Sequence, residues 1–150
     1  IRMTDILAAF GIEQLKKLDK MNFKRRENAH WLKNQIVDLF KEYFYIPNEE
    51  AGYFHTFYTF PIILKKNAPF MRIDLAKFLE SKGIETRPLF GGSLPDQPAF
   101  RNTQGRIYGG LDNTELLKNR LIFIGIHPKL DQGHLEYIID SFHNFIKQIK

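Results

Sequence analysis

Tyr53-Phe54-His55-Thr56-Phe57-Tyr58-Thr59-Phe60, continued by Pro61-Ile62-Ile63-Leu64, is the stretch on which the fold turns. Aromatic, Thr and Ile side chains fill it, and such residues suit a pleated, half-buried backbone, so the run reads as a strand from Tyr53 onward. Pro61 has no amide hydrogen to give to a ladder and points to an edge position or a bulge. Two further strands lie downstream. Ile84 to Arg87 is short and opens into a loop, and Leu121-Ile122-Phe123-Ile124-Gly125-Ile126 is apolar enough to be buried on both faces.

Helical periodicity surrounds these strands. Thr4 is placed to cap a first helix through its hydroxyl, and Gly11 interrupts that helix. A second helix is predicted from about Asp19 to Tyr43, with Leu32, Ile36, Leu39, Phe40 and Tyr43 on one buried stripe; Pro47 and Asn48 end it. Leu75, Phe78 and Leu79 mark a shorter helix closed by Gly83. A helix near Thr114 to Asn119 precedes the third strand. Leu135, Ile138, Ile139, Phe142, Ile146 and Ile149 form the apolar stripe of a closing helix. Three strands among helices predict an α+β layer, a small sheet with helices packed on one face. No repeat or linker divides the chain. Residues 1–45 read as connecting helices and 46–150 as a small α/β domain.

Composition narrows the chemistry. With 150 residues, 43% of them hydrophobic and 14 of them Phe, the chain can bury a core of large side chains. It has no cysteine, which excludes disulfides, thiolate catalysis and cysteine-bound metal for this chain. No apolar run approaches the roughly 18–20 residues of a membrane span, and no signal peptide precedes the first helix. The chain starts at Ile1 with a sequence already typical of a folded interior, so it reads as part of a longer protein. The net charge of +5 draws on Lys16, Lys17, Lys20, Lys24, Arg25 and Arg26, with Asp19 and Glu27 interleaved. This is the pattern of a solvated helix face. A basic module that binds nucleic acid is the competing reading, but only Phe23 and Trp31 lie near the cluster to stack on bases.

No self-contained catalytic motif is present. His30, His55, His127, His134 and His143 lack metal-ligand spacing, so no metal site is expected. Ser93 is not in a nucleophile elbow, because its two preceding glycines are adjacent and none follows. The loop from Pro88 to Asn113 is different. Its length is unusual for a compact domain and points to function or disorder. It sets Arg87 at the mouth of a strand, stiffens the exit with Pro88, and lets the backbone of Gly91 and Gly92 approach a ligand. An arginine near free amides and hydroxyls is an anion receptor; a surface loop with a structural arginine is the alternative.

Several runs resemble one family. Gly83-Ile84-Glu85-Thr86-Arg87-Pro88 is similar to the late-chain signature of the DegT/DnrJ/EryC1/StrS family of pyridoxal-phosphate-dependent sugar aminotransferases. Arg2-Met3-Thr4-Asp5-Ile6-Leu7-Ala8-Ala9-Phe10-Gly11-Ile12-Glu13-Gln14-Leu15 resembles its R-M-T-D-x-Q-A-A-x-G-x-x-Q-L helix, and Lys24-Arg25-Arg26-Glu27-Asn28-Ala29 the start of the helix after it. Leu89-Phe90-Gly91-Gly92-Ser93-Leu94-Pro95-Asp96-Gln97-Pro98 looks more like the R-P-L-F-A-G-N-L-x-x-Q-P loop of the CDP-4-keto-6-deoxyglucose 3-dehydratase branch than like the aminotransferase loop. Asn113 and Phe123-Ile124-Gly125-Ile126-His127-Pro128 resemble that branch as well. Ser93, Leu7, His127 and Lys129 depart from its pattern, where Asn, Gln, an aromatic and Gly are usual.

The resemblance implies the small C-terminal domain of an aspartate-aminotransferase (type I) fold. It implies an enzyme of lipopolysaccharide O-antigen or dideoxysugar synthesis, bacterial and cytoplasmic, that removes the C3 hydroxyl of a nucleotide-linked 4-keto-6-deoxy sugar. The cofactor would be pyridoxal or pyridoxamine phosphate. Its anchoring residues, and the cysteines of a 2Fe–2S cluster in the CDP-sugar enzymes, would lie upstream, so no catalytic residue is expected here and the chain alone is expected to be inactive. The implied substrate contacts are Arg87, Phe90, Gly91, Gly92 and Ser93, with Asn113 and His127 beside them. A homodimer and a reductase partner are implied too. A sugar aminotransferase of the same family is the near alternative.

Overall fold

The structure is a computed structural model that describes residues 4–88 and 91–149. Two helices come first, α1 (Asp5–Leu15) and α2 (Leu18–Phe40). Then follow β1 (Phe44–Tyr45), β2 (Thr59–Leu64), α3 (Arg72–Ser81) and β3 (Thr86–Pro88). Two single 3-10 turns, Leu94–Asp96 and Pro98–Phe100, occupy the long loop before α4 (Asp112–Arg120), β4 (Leu121–Gly125) and α5 (Gln132–Ile149). None of the described helices is long and apolar enough to cross a membrane.

The α+β class agrees with the reading of the sequence, but the sheet has four strands instead of three. All pairs are antiparallel, in the order β1-β2-β4-β3. The extra strand is β1. It is two residues long and falls where the helical stripe was extended to Tyr43; the helix ends at Phe40, and Tyr43 N turns back to the Phe40 carbonyl at 2.9 Å.

The second correction concerns the opening stretch. Only Thr59–Leu64 joins the sheet, although the strand signal begins at Tyr53. Side chains have taken the backbone groups a ladder would need. Glu49 accepts from the His55 amide, Arg26 donates to the His55 carbonyl at 2.7 Å, and His55 Nδ1 accepts from the Phe57 amide at 3.0 Å. Phe57 then adopts a left-handed φ of 50°, which breaks the extended run. Pro61 sits in an inner strand, opposite Phe123 of β4. Its other flank is open, because β1 reaches only as far as Ile63, and the missing amide is therefore tolerated.

Strand alternation sorts the two faces of the sheet. Phe44, Leu64, Ile62, Phe60, Ile122, Ile124 and Thr86 share the buried face in register. Leu32 and Ile36 of α2, Leu75 and Leu79 of α3 and Phe142 of α5 cover them in one core. Ring edges meet ring faces there, Phe44 against Phe142 at 5.4 Å and Phe70 against Phe145 at 4.9 Å. On α2 the stripe steps through Asn28, Leu32, Ile36 and Phe40, and Leu39 is 47% exposed, not buried. Helix α3 stops at Gly83, whose φ of 76° allows the Ile84 amide to reach the Leu79 carbonyl at 2.9 Å and the Gly83 amide the Glu80 carbonyl at 3.0 Å. That turn launches β3 and so sets the position of Arg87.

Candidate functional site

Arg87 pairs in register with Phe123, and Phe123 with Pro61, so all three lie on the sheet face turned away from the helical core. Thr86, one residue earlier, faces the core, where its hydroxyl donates to Glu80 at 2.5 Å. The alternation of β3 thus fixes one side chain inside and delivers the next outside. A recess of about 370 Å³ opens on this outer face, and Arg25, Tyr58, Glu85, Arg87 and His127 line it.

The recess is biased toward anions. Arg87 is exposed and donates to the Glu85 carboxylate and, at 3.0 Å, to the Thr86 carbonyl. These bonds hold the guanidinium at the rim while leaving it open to solvent. Arg25 comes from α2, and its buried Nε has no hydrogen-bond partner among the described residues. The sequence reading placed Arg25 on a solvated helix face and missed it. The signal was present in the Arg25-Arg26 pair, but periodicity alone cannot tell which of two neighbouring arginines turns toward a sheet.

His127 enters from the loop after β4. Asn28, 1% exposed on α2, donates to the His127 carbonyl at 3.3 Å and to the Leu130 carbonyl at 3.1 Å. His127 Nδ1 accepts from the Lys129 amide at 3.1 Å. One buried amide side chain therefore ties the loop that carries His127 to the helix that carries Arg25.

The glycine loop forms a separate neighbourhood. Ser93 is 2% exposed. Asp96 accepts from Lys118 Nζ at 2.6 Å, which docks the loop on α4. Lys118 holds the Asp96 carboxyl below its ordinary value, and the Lys118 ammonium is raised in turn by Asp96. Gly92 takes a φ of 63° against the Lys118 stem. Gly91 accepts from Gln97 through its carbonyl. Asn113 lies exposed in the first turn of α4, and Phe90 lies outside the described residues. Arg87 and His127 thus share one recess, while Gly92 and Ser93 line another of about 410 Å³.

A pyridoxal phosphate needs an amine or imidazole beside its aldehyde carbon and a carboxylate or arginine at its ring nitrogen. The recess offers no lysine, and its one carboxylate, Glu85, is engaged by Arg87. Its two arginines suit the anionic part of a ligand. No group of three or more His, Asp or Glu positioned to hold a metal ion occurs among the described residues.

The sequence profile described as the DegT/DnrJ/EryC1/StrS aminotransferase family matches residues 1–143, and the chain belongs to that family. It is 35% identical over 145 residues to the lipopolysaccharide biosynthesis protein RfbH of Salmonella typhimurium, covering 97% of this chain and 33% of the relative. A dTDP-4-amino-4,6-dideoxy-D-glucose transaminase of Shigella dysenteriae is 26% identical, over 99% of this chain and 38% of its own length. Among solved structures, E. coli GDP-4-keto-6-deoxy-D-mannose-3-dehydratase with bound hydrated PLP superposes with a TM-score of 0.78 at 29% identity, over 89% of this chain and 33% of that one. The fold is accordingly that of a small α+β domain of the aminotransferase-fold proteins. The chain spans about a third of the length of these relatives, and the family holds both dehydratases and aminotransferases dependent on pyridoxal phosphate.

Proposed function

We propose that this chain is the substrate-side domain of a nucleotide-sugar 3-dehydratase of lipopolysaccharide synthesis, acting on a 4-keto-6-deoxy sugar linked to a nucleoside diphosphate. The observation that carries the reading is the juxtaposition of Arg25, Arg87 and His127 around one recess on the outer sheet face. Arg87 orients an anionic or hydroxyl-bearing substrate through its open guanidinium edge. Tyr58 and the sheet face beneath wall the recess and exclude water from one side of the sugar. The Gly91–Ser93 segment, held by Lys118, approaches the same substrate with its backbone. The cofactor is pyridoxamine or pyridoxal phosphate, bound by parts of the protein beyond this chain, and the chain by itself is inactive. A homodimer and a reductase partner belong to the same reading.

Support comes from the loop residues, which resemble the dehydratase branch, and from relatives named as 3-dehydratases or for lipopolysaccharide synthesis. The aminotransferase reading is favoured by a specific observation of its own, the 26% identity to a transaminase over 99% of the chain. One experiment separates them. The full polypeptide carrying this chain is supplied with pyridoxamine phosphate and CDP-, GDP- or dTDP-linked 4-keto-6-deoxy sugars without an amino donor. Loss of water at C3, seen by mass spectrometry and weakened by Arg87→Ala, is the expected result. Amino-sugar formation on adding glutamate, with no water loss, overturns the dehydratase reading in favour of aminotransfer.

A further inference from the structure

We infer that His127 is a fixed hydrogen-bond donor in the Arg87 recess, one that reads an uncharged oxygen of the sugar and takes no part in proton transfer. This role rests on the proposed function and deepens it, since the nucleotide-sugar reading gives His127 a place in the recess and no task.

The turn after β4 decides which ring nitrogen is free. His127 Nδ1 accepts from the Lys129 amide at 3.1 Å. A nitrogen that accepts holds a lone pair, so the hydrogen of the neutral ring sits on Nε2. Nε2 has no hydrogen-bond partner among the described residues. Lys129 stands outside the recess, whereas His127 lines it. The nitrogen left for a ligand therefore carries a hydrogen, in the neutral ring as in the charged one. It donates and has no lone pair to offer, so His127 is not a base toward a ligand in the recess.

The donor is also held in place. The Leu130 amide donates to the His127 carbonyl at 3.0 Å. The buried Asn28 side chain donates to the same carbonyl at 3.3 Å and to that of Leu130 at 3.1 Å. Pro128 restricts the backbone between them. Ring and main chain are both tied, and little freedom is lost when a ligand accepts the bond.

Chemistry then divides the recess. Arg25 and Arg87 give charge-assisted bonds, roughly twice as strong as neutral ones, and claim the anionic oxygens. Glu85 accepts from Arg87 and repels anions on its side. A single imidazole N–H suits what remains of a nucleotide sugar, a hydroxyl or ketone oxygen of the ring.

Two substitutions separate the ring nitrogens. Asparagine puts its amide oxygen near the Nδ1 position, where it still accepts from Lys129, and leaves the Nε2 position empty. Glutamine reaches the Nε2 position with an amide N–H. On the full polypeptide carrying this chain, His127→Asn and His127→Gln are compared with wild type by titration with GDP-, CDP- and dTDP-linked 4-keto-6-deoxy sugars, by titration with GDP, CDP and dTDP, and by the kinetics of C3 dehydration. An unchanged melting temperature in His127→Asn shows that the turn survives. His127→Asn is expected to weaken nucleotide-sugar binding by about three- to tenfold. KM rises by a similar factor, kcat changes little, and nucleoside diphosphate binding is unaltered. His127→Gln recovers most of the lost affinity. Wild-type affinity in His127→Asn, equal weakening of nucleotide sugar and nucleoside diphosphate, or no recovery in His127→Gln overturns the inference. So does a fall in kcat of about 100-fold or more, the mark of a proton-transfer group. If dehydration by wild type persists in any of these cases, the proposed function stands without this role. If binding follows the expected pattern but wild type removes no C3 hydroxyl, the role of His127 stands and the dehydratase reading fails. If wild type binds no nucleotide sugar, both fail.

Discussion

Arg26 and Glu49 meet across the turn that follows α2 in a two-point ion pair, Nη1 to Oε1 at 2.6 Å and Nη2 to Oε2 at 2.9 Å. Arg26 also donates to the His55 carbonyl and lies 4.1 Å above the Phe54 ring. The pair fastens residues 49–57 to α2 and hands the chain to β2 at the right height, so Tyr58 arrives at the Arg87 recess. Bidentate geometry and partial shielding distinguish it from surface pairs such as Lys24–Glu27, which contribute little.

Glu49→Gln is expected to destabilise the protein at neutral pH, and the deficit should close in acid. Arg26 and the His55 amide hold the Glu49 carboxyl down to about 2 from an ordinary 4.5. The unfolded chain therefore takes up the proton first. The stabilisation is complete above about pH 4.5, declines as the pH falls, and is gone below about 2. Urea denaturation of both proteins at pH 7 and pH 3 checks this: the gap between the two curves must be larger at pH 7.

Asn28→Ala should cost about 1–3 kcal/mol, because it strips the His127 and Leu130 carbonyls of a buried donor. The loop carrying His127 loses its tether to α2, so the same variant should raise hydrogen exchange in residues 127–130 before the core exchanges. Denaturant titration gives the first quantity and exchange mass spectrometry the second. Equal exchange in both proteins would contradict the tether.

Gly83→Ala and Gly92→Ala form a matched pair. Both glycines have left-handed φ, 76° and 63°, and an alanine there costs roughly 1–2 kcal/mol. A new Cβ at Gly83 meets nothing, whereas one at Gly92 comes within 3.5 Å of the Lys118 Cγ. Both variants should lose similar stability in thermal melts. Substrate KM should rise further in Gly92→Ala, where the strained backbone belongs to the loop proposed to touch substrate.

The layered α+β arrangement was legible because burial follows periodicity closely. The α5 stripe and the apolar run of β4 both fall where residue spacing puts them. Phe142→Ala, at 0% exposure between Phe40 and Phe44, should accordingly cost about 3–5 kcal/mol. Elements set by side chains binding distant backbone were not legible. Residues 53–58 have strand composition, yet Glu49 and Arg26 claim the His55 amide and carbonyl, and no periodicity reports a bond that spans 29 positions. The site divides in the same way. Arg87 could be named from its place at a strand exit. Arg25 could not, since its role depends on which way α2 rolls against the sheet. The two-residue β1 is too short to carry any pattern.

Glu85 is the internal competitor for the Arg87 guanidinium, and removing it should strengthen anion binding. The two side chains leave the same strand entry, both exposed, and Glu85 occupies one edge of the guanidinium that a substrate oxyanion would use. With Glu85→Gln the recess keeps Arg25, Arg87 and His127 and loses its negative charge. A like-charged neighbour a few ångströms from an arriving anion costs about 1 kcal/mol at a solvated surface, so affinity for a phosphate-bearing ligand should rise by about two- to fivefold at low salt. The gain should shrink at 0.5 M NaCl, since both groups are open to screening ions. Arg87→Ala should move affinity the other way by about tenfold, and the double variant should fall between Arg87→Ala and wild type, because the Glu85 charge repels the anion with or without the guanidinium. Titration of the four proteins at two salt concentrations decides it. A double variant that binds as tightly as Glu85→Gln would assign the recess to Arg25 alone.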